Sequence, residues 1–301
     1  MNPQTQGHAA MLLFSALVAG SFSLGSLAAN EIAPMAITAA RFCIASVLIG
    51  TVVMITGGVP RVALRAPWRY PAMGALMALY FVLMFEGLKT ASAVSSAAVF
   101  TLTPVAAAVF GWLAMRQQTT PRMALALLIG GIGALWVIFR ADWQAFMAFD
   151  IGRGEFIFFW GCVSHAFYPV AVRLLNRGER PLVFTFGMLL GGSVILVALA
   201  WPTLWETDWA NLPPIVWICL GYISVFATAM SFFLVQFSAL RLPSAKVMAY
   251  TYLTPSWVIC WEIALGKDLP PALVLVGVGC TIVALLLLLK NDAPVMTEKT
   301  T

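Results

Sequence analysis

Three ionisable side chains lie inside apolar runs of this 301-residue chain: Arg41, Glu86 and Glu262. An ionisable group in hydrocarbon costs roughly 3 kcal/mol on insertion scales, so each must face the protein interior or a water-filled cavity. Arg41 and Glu86 fall at matching depths, so they could form an ion pair that fixes one helix to the next. The same two groups could instead gate a path or bind a charged solute. Glu262 could take up a coupling proton, or simply reach the headgroups. A second set is aromatic and polar: Tyr80, Trp160, His165, Tyr168, Tyr250 and Trp257. His165 and Tyr168 are three residues apart and share a helix face. Trp160 is eight before Tyr168 and is read as lying on a similar face. Tyr250, Trp257 and Trp261 recur at spacings of seven and four. Such residues could line a pocket for an amphipathic solute; the plainer alternatives are core packing and an interfacial aromatic belt.

Two prolines form the third set. Pro104 and Pro255 fall near the middle of long apolar runs, where each removes a helix hydrogen bond and crowds the carbonyl four residues earlier, that of Phe100 or Thr251. Groups freed at mid-membrane depth need protein, water or solute as partners. The two prolines are therefore candidate hinges as well as candidate structural kinks.

The elements that hold these residues are membrane helices. Hydrophobic residues make up 61% of the chain and charged residues 10%, and the mean hydropathy is +0.93. A soluble domain is about a quarter charged, so this chain has too little charge to cover a wet surface. Ten apolar runs are long enough to cross a bilayer. They are approximately 9–29, 34–56, 70–89, 92–115, 121–140, 152–175, 181–201, 212–238, 244–266 and 270–290. With the N-terminus on the cytoplasmic side, that side collects Arg61, Arg65, Arg69, Arg116, Arg122, Arg173, Arg177, Arg180, Arg241, Lys246, Lys290 and Lys299. The other side collects Lys89, Arg140, Arg153 and Lys267. This is the bias of the positive-inside rule, and it places both termini in the cytoplasm. No basic residue precedes Arg41, so the first run reads as a retained helix and not as a cleaved signal. The five cysteines sit singly in apolar runs and suggest neither a disulfide framework nor a metal site. The basic residues punctuate loops without forming a nucleic-acid patch.

The halves repeat. Residues 87–104 read GLKTASAVSSAAVFTLTP and residues 239–255 read ALRLPSAKVMAYTYLTP. Each is followed by an apolar stretch, a short polar turn and a Gly-rich helix, Gly131-Ile132-Gly133 in one and Gly277-Val278-Gly279 in the other. The repeat lays spans four and five over spans nine and ten. Each unit thus has five spans, 1–150 and 151–301. An odd number inverts one unit relative to the other in the membrane, an arrangement shared by many alternating-access carriers.

As an ordered set these pieces resemble the drug/metabolite transporter superfamily in its EamA-type form. The matching pieces are Ala39-Ala40-Arg41-Phe42, the Ser-Ala to Leu-Thr-Pro104 and Leu-Thr-Pro255 segments, and the two Gly-rich helices. YddG-like exporters of amino acids and metabolites are the nearest analogy. There are departures. Met115-Arg116-Gln117 and Gly266-Lys267-Asp268 stand where Gly-Glu is frequent, and Ser164-His165-Ala166 stands where Trp-Ala is frequent. The resemblance implies a secondary transporter of the bacterial inner membrane that moves a small metabolite, with export as the direction and a proton or exchange solute as the driving partner. It implies no cofactor and no catalysis. A multidrug or nucleoside carrier of the same fold is the alternative closest to it. An intramembrane enzyme acting on lipid is a further one, although the chain has no HExxH, no P-loop and no paired acids in a span. A channel would call for rings of charge or repeated carbonyl motifs, and neither is visible.

Overall fold

The computed structural model describes residues 3–148, 151–268 and 270–289. Lys290, Lys299, the C-terminus and the boundary residues 149–150 lie outside the described residues. The described residues form α1 (Pro3–Ala28), α2 (Pro34–Ile55), α3 (Arg69–Leu88), α4 (Ala93–Phe100), α5 (Thr103–Met115), α6 (Pro121–Ile138), α7 (Trp143–Ala148), α8 (Arg153–Leu175), α9 (Pro181–Glu206), α10 (Pro214–Ser224), α11 (Ser231–Ala239), α12 (Ser244–Ala249), α13 (Thr254–Ala264) and α14 (Ala272–Leu289). No strand occurs among the described residues. In lipid, a helix satisfies its own backbone, which leaves it the default spanning element.

Three crossings are interrupted. α4 and α5 make the fourth, broken at Thr101-Leu102 just before Pro104. α10 and α11 make the eighth, joined by a π-helical turn over Val225–Met230. α12 and α13 make the ninth, joined by a 3-10 turn over Tyr250–Leu253 just before Pro255. Among the described residues nine crossings are long and apolar enough to span a membrane by that measure alone; the ninth in sequence order, which carries Lys246, Glu262 and a run of Tyr and Thr, is too polar to be counted with them. The expected ten-helix plan is the one found, five helices in each half.

Ends shift where polar residues find protein partners. α1 begins at Pro3 and not near residue 9: residues 3–6 are exposed, and Gly7 is the first to be buried, its carbonyl accepting from Ser238 Oγ at 3.1 Å. α9 continues past residue 201 to Glu206, carrying exposed Trp201 and Trp205 as an interfacial pair.

Glycines set the closest helix contacts. On α6 and α14, Gly133 and Gly277 face each other so closely that a Cβ on either would stand 2.6–2.7 Å from the other's carbonyl oxygen. On α3 and α9, a Cβ at Gly74 would come within 2.4 Å of the Gly192 backbone nitrogen. Small residues let membrane helices approach backbone to backbone, so these pairs pin their helices together.

The two ends of the bundle differ. One end gathers arginines that bridge distant loops. Arg69 donates to Glu179 Oε1 at 2.6 Å and to the carbonyl of Leu175. Arg173 donates to the Ala239 carbonyl at 2.7 Å and to that of Leu242, and Arg180 to that of Thr56 at 3.0 Å. The opposite end carries two ion pairs between near neighbours in sequence, Lys89–Glu86 and Lys267–Glu262, each at 2.8 Å. It also opens into a cavity of about 490 Å³.

Candidate functional site

The centre of the bundle is an aromatic cluster with polar groups embedded in it. Tyr80 of α3 and His165 of α8 lie near the middle of their helices, with ring centroids 4.6 Å apart. Phe100, at the end of α4, is 5.1 Å from His165 and 5.8 Å from Tyr80. Phe14 of α1 stacks on His165 at 6.4 Å. Phe81 follows Tyr80 and sits under the Arg41 guanidinium, 3.6 Å from its centroid, an attraction that strengthens where water is excluded. These contacts join Arg41, Tyr80 and His165 through one continuous set of rings.

Arg41 is fully buried. Its Nε donates to Thr228 Oγ1 at 2.8 Å, and one terminal nitrogen donates to the carbonyls of Ala227 at 3.1 Å and Ile223 at 3.4 Å. The other, Nη1, is buried without a hydrogen-bond partner, as are Tyr80 Oη and His165 Nδ1. The π turn explains how the eighth crossing can serve a cation. A π turn lengthens the backbone hydrogen-bonded ring to i→i+5, as the Ser231 N–H does in reaching the Phe226 carbonyl; the Thr228 hydroxyl separately donates to the Ile223 carbonyl at 2.7 Å. The carbonyls of Ile223 and Ala227 are thereby left able to meet Arg41.

The two broken crossings meet beside this cluster. Thr103 and Thr251 hydroxyls are 3.0 Å apart, one from each half. Thr103 also donates to the Phe100 carbonyl at 2.8 Å, and the backbone N–H of Thr254 reaches that of Thr251. The carbonyls exposed by the prolines are thus both answered by threonines of the same breaks. Pro104 and Pro255 themselves stand in the first turns of α5 and α13, where a missing N–H costs nothing.

Several expected placements change. Arg41 and Glu86 do not pair. Glu86 binds Lys89 on its own helix end, while Arg41 reaches the middle of the eighth crossing. Matching depth places two residues at one level but leaves their azimuth open. Trp160 is separated from the cluster and 53% exposed, against Phe156 and Phe159. Its eight-residue step from Tyr168 leaves it about 80° round the helix, enough to turn it to the lipid side. Tyr168 is buried and accepts from Gln236 Nε2 at 2.9 Å. Tyr250 Oη lies 3.1 Å from His8 Nδ1. Trp257 donates through Nε1 to Ser15 Oγ at 3.2 Å across the α1–α13 seam. Glu262 lies at the far end of α13, away from the centre.

Sequence reading missed Thr228, Gln236 and the Arg69–Glu179 pair. Glu155, which accepts from Ser95 Oγ at 2.7 Å, had a readable signal as an acid in the first turn of a helix. Nothing in the sequence marks the π turn.

Residues 5–139 and again 152–290 match the EamA-like transporter family. The chain belongs to that family. Among curated proteins it is similar to an uncharacterized transporter, YyaM, of Bacillus subtilis (strain 168), 24% identical over 261 residues and covering 86% of each chain. A crystal structure of a protein with 18% sequence identity matches over 95% of each chain with a TM-score of 0.71, a likeness of fold. The doubled family match falls on the five-helix halves, so the EamA-like chain is a membrane transporter whose substrate is a small molecule. Its solvent is the bilayer.

Proposed function

We propose that this EamA-like protein is a secondary carrier, not an enzyme, that moves amino acids or similar amphipathic solutes by alternating access. Arg41 is the observation that carries the substrate class. Among the described residues this fully buried cation has no ion-pair partner, and one of its nitrogens has no hydrogen-bond partner. A carboxylate is the ligand that would complete it, because a guanidinium binds carboxylate in a planar fork. The rings of Tyr80, Phe100 and His165 would receive the apolar part of the solute. Tyr168 and Tyr250 border the same interior from the α8 and α12–α13 sides, Trp257 closes the seam with α1, and Trp160 has no part in it.

Pro104 and Pro255 are the hinges in this reading. The Thr103–Thr251 contact between them makes and breaks as the halves, 1–150 and 151–301, rock. The positive-inside rule sets the arginine-rich end, with both termini, on the cytoplasmic side of an inner membrane. The cavity then faces outward, while the central cluster of Arg41, Tyr80, Phe100 and His165 stays buried beneath it and shut off from both sides. A proton or an exchanged solute would supply the driving force.

Counterflow tests the reading. Purified protein is placed in liposomes preloaded with one unlabelled solute, and entry of labelled neutral amino acids, aromatic amino acids, nucleosides or sugars is followed. Saturable exchange of amino acids is expected, reduced at least ten-fold by Arg41→Gln and by His165→Ala. Exchange confined to nucleosides or sugars, or indifferent to Arg41→Gln, would sink the amino-acid assignment.

A further inference from the structure

A hollow of about 720 Å³ runs between α5 and α6. Val105, Val109, Trp112, Leu128 and Ile132, all exposed, supply its walls. Gly131 lines it as well, and a Cβ built there would meet nothing within 4 Å. Gly133, two residues on, is held to glycine by its contact with Gly277. Helix packing thus accounts for one glycine of the Gly131-Ile132-Gly133 motif and not for the other. A glycine inside a helix is destabilising relative to alanine, so Gly131 calls for a different reason, and open space is what it provides. From Leu102 to Trp112 the hollow follows the fifth helix for ten residues, a rise of about 15 Å. That is half the hydrocarbon thickness of a bilayer, the depth of one leaflet.

Trp112 also borders a second hollow, of about 350 Å³, with Leu113 and Arg116 at the arginine-rich end. Arg69, Arg173, Arg180 and Arg241 of that end are committed to carbonyl or carboxylate oxygens. The Arg116 side chain makes no hydrogen bond or ion pair among the described residues. We infer that α5 and α6 bind an anionic phospholipid, with an acyl chain in the hollow and its phosphate on Arg116. A hydrocarbon chain answers an apolar wall one leaflet deep. A guanidinium matches a phosphate in geometry as well as charge, and basic residues beside membrane helices draw anionic headgroups. Trp112 stands between the two, at the level where tryptophans gather in membrane proteins. A water-soluble anion would use Arg116 and leave the hollow empty. This seat shares no residue with the central cluster and does not rest on the transport reading.

Native mass spectrometry of the detergent-solubilised protein tests it. The protein is titrated with phosphatidylglycerol, and with phosphatidylcholine of the same chains, whose headgroup carries no net charge. Saturable binding of phosphatidylglycerol is expected, about five-fold tighter than that of phosphatidylcholine. Arg116→Gln should remove that preference. Gly131→Leu fills the hollow and should abolish saturable binding of both lipids. Arg61→Gln removes another exposed arginine of the same end, outside both hollows, and should change nothing. Equal affinity for the two lipids, a preference that survives Arg116→Gln, or lipid binding unaltered by Gly131→Leu would each overturn the assignment. So would displacement of phosphatidylglycerol by an equal concentration of glycerol phosphate, which would leave a site for a free anion, or a protein dimer that Gly131→Leu dissociates, which would give the hollow to a second copy. The comparison of the two lipids on wild-type protein stands even where a variant folds poorly.

Discussion

The ion pairs and arginine contacts at the two ends of the bundle differ in how far along the chain they reach. At the arginine-rich end, Arg69, Arg173 and Arg180 each reach across more than sixty residues of chain to a loop of another hairpin. At the opposite end, the ion pairs join residues three and five apart, so Glu86–Lys89 and Glu262–Lys267 tie each turn only to itself. Long-range bonds must break when helices part; short-range ones travel with their helix. Under the rocking motion proposed above, the end with the cavity would keep its charge pairs and part only hydrogen bonds such as Ser95–Glu155 and Trp136–Leu273, whereas the arginine-rich end would give up several charged contacts at once.

The largest effect is therefore expected at Glu179. It and Arg69 are buried together, and removing one partner of a buried pair typically costs about 3–5 kcal/mol. Glu179→Ala should lower the thermal midpoint of the detergent-solubilised protein sharply. A shift no larger than that of a surface substitution would erase the contrast between the ends. The same pair carries a pH dependence. Burial pushes the Glu179 carboxyl up, but hydrogen bonds from Arg69 and the Arg177 backbone outweigh it and hold the group below its ordinary value. A carboxylate depressed in the folded state contributes stability above its unfolded pKa and loses it as pH falls through the folded value. Wild-type stability should thus fall as the pH drops below the ordinary carboxylate range, and Glu179→Gln should flatten that part of the profile. A profile of unchanged slope in Glu179→Gln would assign the acid sensitivity elsewhere. The smallest effect is expected at Glu86, a partly exposed partner of Lys89. Pairs of that kind contribute about 0–1 kcal/mol, so the thermal midpoint of Glu86→Gln should stay near that of the wild type. A loss comparable to that at Glu179 would mean the two ends are bound alike.

The fold was legible because the bilayer simplifies the code. Every crossing left an apolar run, and the Leu-Thr-Pro pieces marked both midpoints. Loop charge supported the count of ten, and the breaks at Pro104 and Pro255 fall where the sequence puts them. The site was legible only in part. His165 and Tyr80 could be named because a polar ring at mid-membrane must face protein, but their contact depends on how α3 packs on α8. Arg41 was identified and its partner mistaken, since depth follows from counting residues while direction follows from helix packing. Trp160 was misplaced by an eight-residue spacing that is close to a helical repeat without being one. Arg69 read as a topology signal, because a loop arginine looks the same whether it faces water or a buried glutamate.

Arg41 has an electrical consequence as well. Its charge is met by a hydroxyl and two carbonyls of the eighth crossing, which are dipoles and leave the net charge uncancelled. An elementary charge carried through a membrane potential of 100 mV changes its energy by about 2.3 kcal/mol. In the reading proposed above, any displacement of Arg41 along the membrane normal makes the empty protein sensitive to voltage; a zwitterionic amino acid, whose own charges cancel, leaves that sensitivity in the loaded form, whereas a solute of net charge −1 would remove it. An imposed potassium diffusion potential should then act on the return of the unloaded form and on exchange of zwitterionic amino acids alike, and should leave alone only the exchange of a net-anionic solute.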